Sequence, residues 1–369
     1  MKKVIIVLFI VFFSITSVDA LTFSDYLIEK ANDKNVKEYT SGDKTQMYTF
    51  DHPETVQTPT LTDYRYIGKK PNNYVYFNCE NEDDKKTCEV WRIIGVFEVE
   101  DGKGNKEKRV KIMRNDLLPQ SYQWDSDKIN EYGNDTGFNE WTTSNVNKVL
   151  NEEFYGKLSD SSQKMIGSTM YYLGGAQVAE QSGAEYYRTE RGKEVYNGHS
   201  INWVGKVGLM YASDYIYTFS LGIDSDCYEN SYNCYFSDTS NSWIYDSNNV
   251  IYLETLKLPQ WTMTPLSNFS FLAFTVGSSG QIEPDWLTSY YAGVRPVVYL
   301  RSDIYIEDGD GSLDNPFQLT LNNPDEKKEE NDKPITNPST GINNPYTLAF
   351  VVCGVSIISI IIARKKKYI

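Results

Sequence analysis

The spacing of apolar residues changes along this chain, and each change predicts a different kind of segment. Residues 4–13, VIIVLFIVFF, are an unbroken apolar run. Behind Lys2 and Lys3, and ahead of VDA at 18–20, it has the layout of an export signal and is too short for a comfortable membrane span. Residues 21–62 have little periodicity. FSDYLIEKAND predicts a short helix with Ser24 as N-cap, and the remainder predicts a polar, extended lead-in. From Asp63 the pattern becomes strand-like. NNYVYFNC (72–79), CEVWRIIGVFEVE (88–100) and RVKIMRND (109–116) are rich in β-branched and aromatic residues and predict a three-stranded meander.

The period then turns helical. In TTSNVNKVLNEEFYGKL, Val146, Val149, Leu150 and Phe154 share one face, with Ser144 or Asn145 as N-cap. SDSSQKMIG (159–167) predicts a second helix, capped by its Ser and ended by Gly167. Both stripes are core faces. Further on, GKVGLMYASDY, WTMTPL, FLAFTVG and GVRPVVYL predict short strands among Tyr- and Ser-rich loops, where function tends to concentrate. EDGDGSLDNPFQLTL closes the domain with a turn and a last strand. Past Asn323 the charged PDEKKEENDKPIT is a solvated linker. Residues 346–363 then run uncharged for roughly 18 residues, enough to span a bilayer core, and Arg364 to Lys367 mark the cytoplasmic end.

Composition narrows the partners. The 369 residues are 40% hydrophobic, which supports a sizeable core, and the net charge of -14 is repelled by phosphate backbones, so nucleic acid is not an expected partner. Four of the five cysteines form two local pairs, Cys79 with Cys88 and Cys227 with Cys234, each spanning a polar acidic loop. In an exported chain such pairs read as loop-closing disulfides. With only His52 and His199 available, zinc is poorly served, and neither a metal nor a cofactor is expected.

No spaced catalytic set emerges. Neither His has a G-x-S-x-G pattern nearby, and the 50 acidic residues offer no particular pair for glycoside hydrolysis. Aromatic side chains are the better chemistry. Trp91 and Trp261 lie within strands and read as core, Trp203 is a further aromatic position, and Trp243 and Trp286, in or near loops, are the surface stacking positions for a sugar or peptide. Arg295 in AGVRPVVYL is either a buried cation that pairs with a carboxylate to lock loops or a ligand-gripping residue. EPD at 283–285 reads as a turn just before a strand. DGDGSLD (308–314) alternates acids like calcium ligands, but Leu319 stands where an EF-hand loop needs Glu, so a turn is expected.

Two resemblances add to this reading. NPSTG, that is Asn337, Pro338, Ser339, Thr340 and Gly341, stands before the apolar span and the basic tail. That order resembles the cell-wall sorting signal of Gram-positive surface proteins, a Leu-Pro-any-Thr-Gly motif cut between Thr and Gly by a sortase. Pro338, Thr340 and Gly341 match; Asn337 replaces the Leu, which bears on the sortase class. The resemblance implies a sortase as partner, peptidoglycan as covalent attachment, membrane contact through the C-terminal helix before sorting, and an extracellular, wall-anchored location. The flexible stretch ahead of the motif reaches at most about 65 Å, which keeps the domain close to the envelope.

The stretches YRYIGKKPNNYVYFN, WRIIGVF, YGKLSDSSQKMIG, WVGKVGLMYASDY, WTMTP, AGVRPVVYL and GDGSLDNPFQL resemble an uncharacterised domain family of exported proteins from gut Gram-positive bacteria. In layout that family is similar to the C-type-lectin-like superfamily, which includes the formylglycine-generating enzymes. The implied fold is α+β and loop-rich, with short, mainly antiparallel strands and two helices. Formylglycine chemistry is not implied, because no Cys lies between Cys234 and Cys353. The expected order is signal peptide 1–20, lead-in 21–62, ectodomain 63–321, linker 322–340, and membrane helix with basic tail 341–369. The expected role is a non-catalytic surface binding or adhesion module for a glycan or protein. An envelope hydrolase and a structural wall component are the alternatives.

Overall fold

Alternation of β-branched, aromatic and polar residues gives way to near-continuous burial only where a strand is covered on both faces, and residues 91–97, apolar except for the buried Arg92, are such a stretch. They form the middle of the longest strand of a computed structural model that describes residues 20–31, 47–125, 137–219, 242–247, 251–253, 256–288 and 290–323. The chain divides into the units Met1–Pro324 and Asp325–Ile369, and the described residues belong to the first. The export signal, Cys227 with Cys234, NPSTG, the apolar span and the basic tail lie outside the described residues. No helix among those described is long and apolar enough to cross a membrane.

The architecture is mixed α+β and strand-rich. The helices are short: α1 Phe23–Lys30, α2 Asn145–Lys148, α3 Asp160–Met165, α4 Gly183–Glu190, α5 Ala212–Ile216 and α6 Trp243–Asp246. The first half supplies strands β1 Met47–His52, β2 Leu61–Tyr66, β3 Tyr74–Phe77, β4 Glu89–Glu100, β5 Lys106–Arg114, β6 Ser121–Tyr122, β7 Thr169–Tyr172, β8 Asn202–Gly205 and β9 Val207–Gly208. The second half supplies β10 Ile251–Leu253, β11 Leu256–Lys257, β12 Gln260–Pro265, β13 Leu272–Val276, β14 Ile282–Trp286, β15 Ala292–Gly293, β16 Val297–Tyr299, β17 Tyr305–Asp308 and β18 Gln318–Thr320.

A seven-stranded sheet runs β1-β2-β4-β5-β16-β9, with β3 also on β4. The expected meander is therefore its centre, and β16 joins it by pairing Val297 with Met113. Gly95 permits the close antiparallel pairing of β2 with β4: a Cβ there would meet the Tyr64 carbonyl oxygen at 2.1 Å. A five-stranded sheet runs β14-β13-β12-β15-β6, and it includes the parallel pair β12 with β15. Beside a smaller cluster of Tyr48, Phe50, Ile67, Tyr187 and Tyr217, the main hydrophobic core draws on both sheets and the helices. It contains the buried Trp91, Trp124, Trp141 and Trp261, so Trp91 and Trp261 are core as expected.

The lead-in expected over 21–62 does not stay outside the fold. Its β1 pairs with β2 along the whole strand, Met47 to Tyr66 through His52 to Leu61. α1 buries Phe23 and Leu27, and the Phe23 amide donates to the Ile304 carbonyl at 2.6 Å. Its N-cap is Thr22 rather than Ser24: the Thr22 hydroxyl accepts from the Asp25 amide, and Ser24 is buried. The helix expected within TTSNVNKVLNEEFYGKL, residues 142–158, changes pitch along its length. It begins as α2 under the Ser144 cap, widens to a π-helix over Val149–Phe154 and tightens to a 3-10 turn over Tyr155–Lys157. EPD lies inside β14, not in a turn before it. DGDGSLD is a turn: Gly309 and Gly311 take positive φ, and the Asp310 amide donates to the Asn315 carbonyl.

Candidate functional site

A wide groove runs between the π-helical turn and the loop that carries β6. It opens as two adjoining hollows of about 450 and 370 Å³, which share Gln120, Tyr122, Val149 and Glu153. Local sequence explains each wall. In the π turn, Leu150 is buried while Val149, Glu153, Phe154 and Lys157 line the groove. Asn151 fixes that turn to β9: its side-chain amide donates to the Val207 carbonyl at 2.8 Å and accepts from the Val207 amide at 3.1 Å. Inserted π turns of this kind recur at functional sites.

The opposite wall is tied from behind. The Trp261 indole donates to the Tyr122 carbonyl at 2.7 Å, and the Leu118 amide donates to the Val294 carbonyl at 2.8 Å. Among the described residues β6 pairs with β15 alone, which makes it the last described strand of its sheet. At the groove's end, Glu89 accepts from the Trp91 indole at 2.9 Å and from Arg114 Nε at 3.1 Å. Arg114 also donates to the Leu117 carbonyl at 2.8 Å, which braces the loop leading to β6. Burial, with the Glu153 carboxylate second, pushes the Tyr122 phenol above its ordinary range.

The bonded Cys79–Cys88 pair borders this end of the groove. Asn78 and Glu89, the residues just outside it, both line the larger hollow. Asn78 takes φ +53°, the one positive φ among the described non-glycine residues, a conformation Asn tolerates better than most. Its side-chain oxygen accepts from the Ser159 amide at 2.8 Å, and its own amide donates to the Ser162 hydroxyl at 3.0 Å, so it holds the start of α3. The groove thus offers amides (Asn78, Gln120, Gln123, Asn145), aromatic faces (Tyr122, Phe154, Tyr291), carboxylates (Glu89, Glu153) and cations (Arg114, Lys148, Lys157) along one channel. That set can donate and accept hydrogen bonds while it presents flat apolar faces.

The residues expected from the sequence to bind ligand lie elsewhere: Trp243 and Arg295 meet at α6, while Trp286 lies apart from them on β14. Trp243 is not a surface platform. It is fully buried, and its indole donates to the Tyr66 carbonyl at 3.0 Å. Its loop setting concealed a helix: Ser242 caps α6, and the Trp243 amide donates to the Gly68 carbonyl, drawing the ring inward. Trp286 is 50% exposed on β14, where it stacks on Phe271 with ring centroids 4.9 Å apart. Phe269, also exposed, stands 5.6 Å from Phe271. This aromatic strip occupies the edge of the five-stranded sheet opposite β6. Trp203 is half-buried against Tyr171 and Trp141. Arg295 is buried but pairs with no carboxylate. Its Nη1 donates to the Ile244 carbonyl at 3.3 Å and the Ser247 hydroxyl at 2.9 Å, so it holds the end of α6 through neutral acceptors.

A second polar cluster lies deep between the meander and α4 and α5. Arg65 donates to Asp63 at 2.8 Å and to Asp214 at 2.9 Å, and Lys111 bonds Asp214 from the other side. His52 lies 3.1 Å from Asp63 and stacks on Tyr187 at 3.6 Å, and the Arg191 guanidinium covers that ring at 3.4 Å. Glu190 accepts from the Thr264 hydroxyl at 2.8 Å and the Ser213 amide at 3.0 Å. Burial opposes the charge on each acid. Asp63 and Asp214 are nonetheless held below the ordinary carboxylate range, chiefly by Arg65 and Lys111 respectively, whereas burial wins at Glu190 and raises it. Every one of these charged groups is sealed from solvent. The cluster joins β1, β2, β5, α4 and α5, and none of the grooves described above reaches it. No family model, no curated protein and no solved structure matches this chain.

Proposed function

We propose that the chain is a wall-anchored surface protein whose ectodomain binds a glycan in the groove between the π turn and β6. The groove's lining carries the reading: planar amides and carboxylates that can bond sugar hydroxyls alternate with aromatic faces that can pack against a sugar ring. Two adjoining hollows sharing one floor suit successive units of a chain-like ligand. The exposed strip of Phe269, Phe271 and Trp286 is a second, separate aromatic surface. The C-type-lectin-like resemblance belongs with this proposal. It is supported by the sequence layout and by short strands and short helices around a main core.

Anchoring rests on NPSTG ahead of the apolar and basic tail, with a sortase and peptidoglycan as partners. The Cys79–Cys88 bond is compatible with an extracellular location. A second reading is favoured by one observation. β6 is the last described strand of its sheet, and an extended protein segment could pair with it as an added strand.

The test is binding of defined oligosaccharides, including peptidoglycan fragments, to the wild type and to Glu153→Ala and Tyr122→Phe. A glycan whose affinity falls at least tenfold in Glu153→Ala supports the groove. Normal glycan binding in both variants would place recognition elsewhere. Capture of unstructured peptides instead, weakened by proline at Gln123, would favour strand addition. For anchoring, the C-terminal peptide of wall-released protein should end at Thr340; a peptide that runs on to Ile369 refutes sorting.

A further inference from the structure

Two cations in the core lack what buried cations normally have. Arg92 on β4 and Arg295 just before β16 are both almost fully buried, and neither forms an ion pair among the described residues. The two are neighbours across the sheet. Arg92 stands opposite Met113, Met113 stands opposite Val297, two residues beyond Arg295, and the Arg92 charge is the strongest influence on Arg295 after burial. An isolated buried charge is strongly disfavoured unless something compensates it.

Their donors are only partly used. Arg92 Nε donates to the Asn73 side-chain oxygen at 2.6 Å, its guanidinium lies 3.8 Å over the Tyr74 ring and 4.9 Å from the Trp243 ring, and its Nη2 has no acceptor. Arg295 spends Nη1 on Ile244 and Ser247, while its Nε and Nη2 have no acceptor. Nε and Nη2 form one edge of the guanidinium. Their parallel N–H bonds are the fork that grips a carboxylate or phosphate with two oxygens. Both groups are also driven toward neutrality. Burial is the first cause in each, Arg92 is the next at Arg295, and Arg295 is brought down to about 9 and Arg92 to about 10. Asp116 and Asp246 attract only from beyond ion-pair distance.

We propose that Arg295 and Arg92 form an internal receptor for an oxyanion, a carboxylate or phosphate group, held two-fold by the Nε/Nη2 edge of Arg295 and met by Nη2 of Arg92. The anion supplies the counter-charge that no acid among the described residues supplies at ion-pair distance. It also stabilises the junction of β4, α6 and the 294–296 segment, because Arg295 is the residue that holds the end of α6. Local positive charge in a chain of net charge -14 is what makes such a site selective for anions. The receptor is independent of the groove, and either assignment stands without the other.

The experiment is thermal unfolding of the purified full chain in a low-anion buffer, titrated with sodium phosphate or sodium acetate at an ionic strength held constant with sodium chloride. The expected result is a saturable rise of several degrees with one of the two anions, absent in Arg295→Lys, which keeps the charge but loses the fork. A phosphate-only response assigns a tetrahedral anion, and an acetate response assigns a carboxylate. No excess over chloride, or an equal response in Arg295→Lys, overturns the proposal. If Arg295→Lys fails to fold, line broadening of phosphate (31P) and 13C-acetate resonances by the wild type decides. Broadening of one, reversed by excess of the same unlabelled anion, supports the site, and no broadening of either refutes it.

Discussion

Removing the Asp214 carboxylate by Asp214→Ala isolates the energetics of the buried charge cluster. Asp214 accepts from Arg65 Nη1 at 2.9 Å, from the Tyr211 amide at 2.9 Å and from Lys111 Nζ. After truncation Arg65 keeps Asp63, 2.8 Å away, but Lys111 keeps no acid and is fully buried among Phe97, Tyr211 and Tyr299. Breaking a buried pair from one side costs about 3–5 kcal/mol. A second route gives a similar ceiling. The stranded lysine can escape by releasing its proton, and holding an amine neutral at pH 7 costs roughly 1.4 kcal/mol per unit below its ordinary value near 10.5, so about 5 kcal/mol. The two routes predict a loss of about 4 kcal/mol, read from urea unfolding followed by tryptophan fluorescence. Because the unfolded variant binds more protons than the folded one, the penalty should shrink as pH rises from 7 to 9. Adding Lys111→Met to Asp214→Ala should restore much of the loss, since the unpaired cation is then gone. A cost under about 1 kcal/mol at pH 7, or a double variant no more stable than Asp214→Ala, would refute the reasoning.

Two further outcomes are expected. Trp243→Ala should cost about 3–5 kcal/mol by emptying a core position, while Trp286→Ala should change stability by less than about 1 kcal/mol and act only on any ligand of the Phe269–Phe271–Trp286 strip; equal urea midpoints for the two variants would contradict the assigned burial. Asp285 is raised to about 6, chiefly by burial, with the neighbouring Glu283 charge adding to the shift and the Thr275 hydroxyl opposing it. Its contribution to stability is complete below the ordinary carboxylate value and is lost as pH rises through 6. Asp285→Asn should therefore gain about 1 kcal/mol over the wild type at pH 7.5, after allowance for its partial exposure, and nothing at pH 4; an equal gain at both pH values would show that charge is not the cause.

The parts of the fold that the sequence made legible are those in which a strand buries what it should. β4 could be read because Trp91 through Phe97 is rich in β-branched and aromatic residues, with Arg92 its one charge, and β5 because RVKIMR continues the same pattern. β1 could not, because MYTFDH and LTDYRY turn His52, Asp63 and Arg65 inward, and the partners that make this tolerable are Asp214 and Arg191, far along the chain. Hydrophobic alternation therefore reads these strands as linker. Trp243 failed for a related reason: its neighbours are loop-like, and only the Gly68 carbonyl and the Ser242 cap show which way it turns. The groove was present in the sequence only as pieces. Asn78, Glu89, Gln120 and Glu153 each sit at an element boundary, and no spacing rule joins them. The widening of the helix over Val149–Phe154 accompanies the bonds of Asn151 to Val207, a tertiary contact.

The docking of α1 has a consequence for chain connectivity. Phe23 touches Phe317 with ring centroids 5.3 Å apart and hydrogen-bonds Ile304, so the first helix and the last hairpin of the described chain are neighbours. Adjacent ends make a fold indifferent to where its chain is cut, provided the cut falls in an exposed turn. A circular permutant that joins Thr320 to Thr22 through a short glycine-serine bridge and begins at Lys103, in the exposed turn between β4 and β5, should fold to the same sheet order. Such a permutant would move the chain ends from beside the last hairpin to the turn between β4 and β5 and keep every strand pairing.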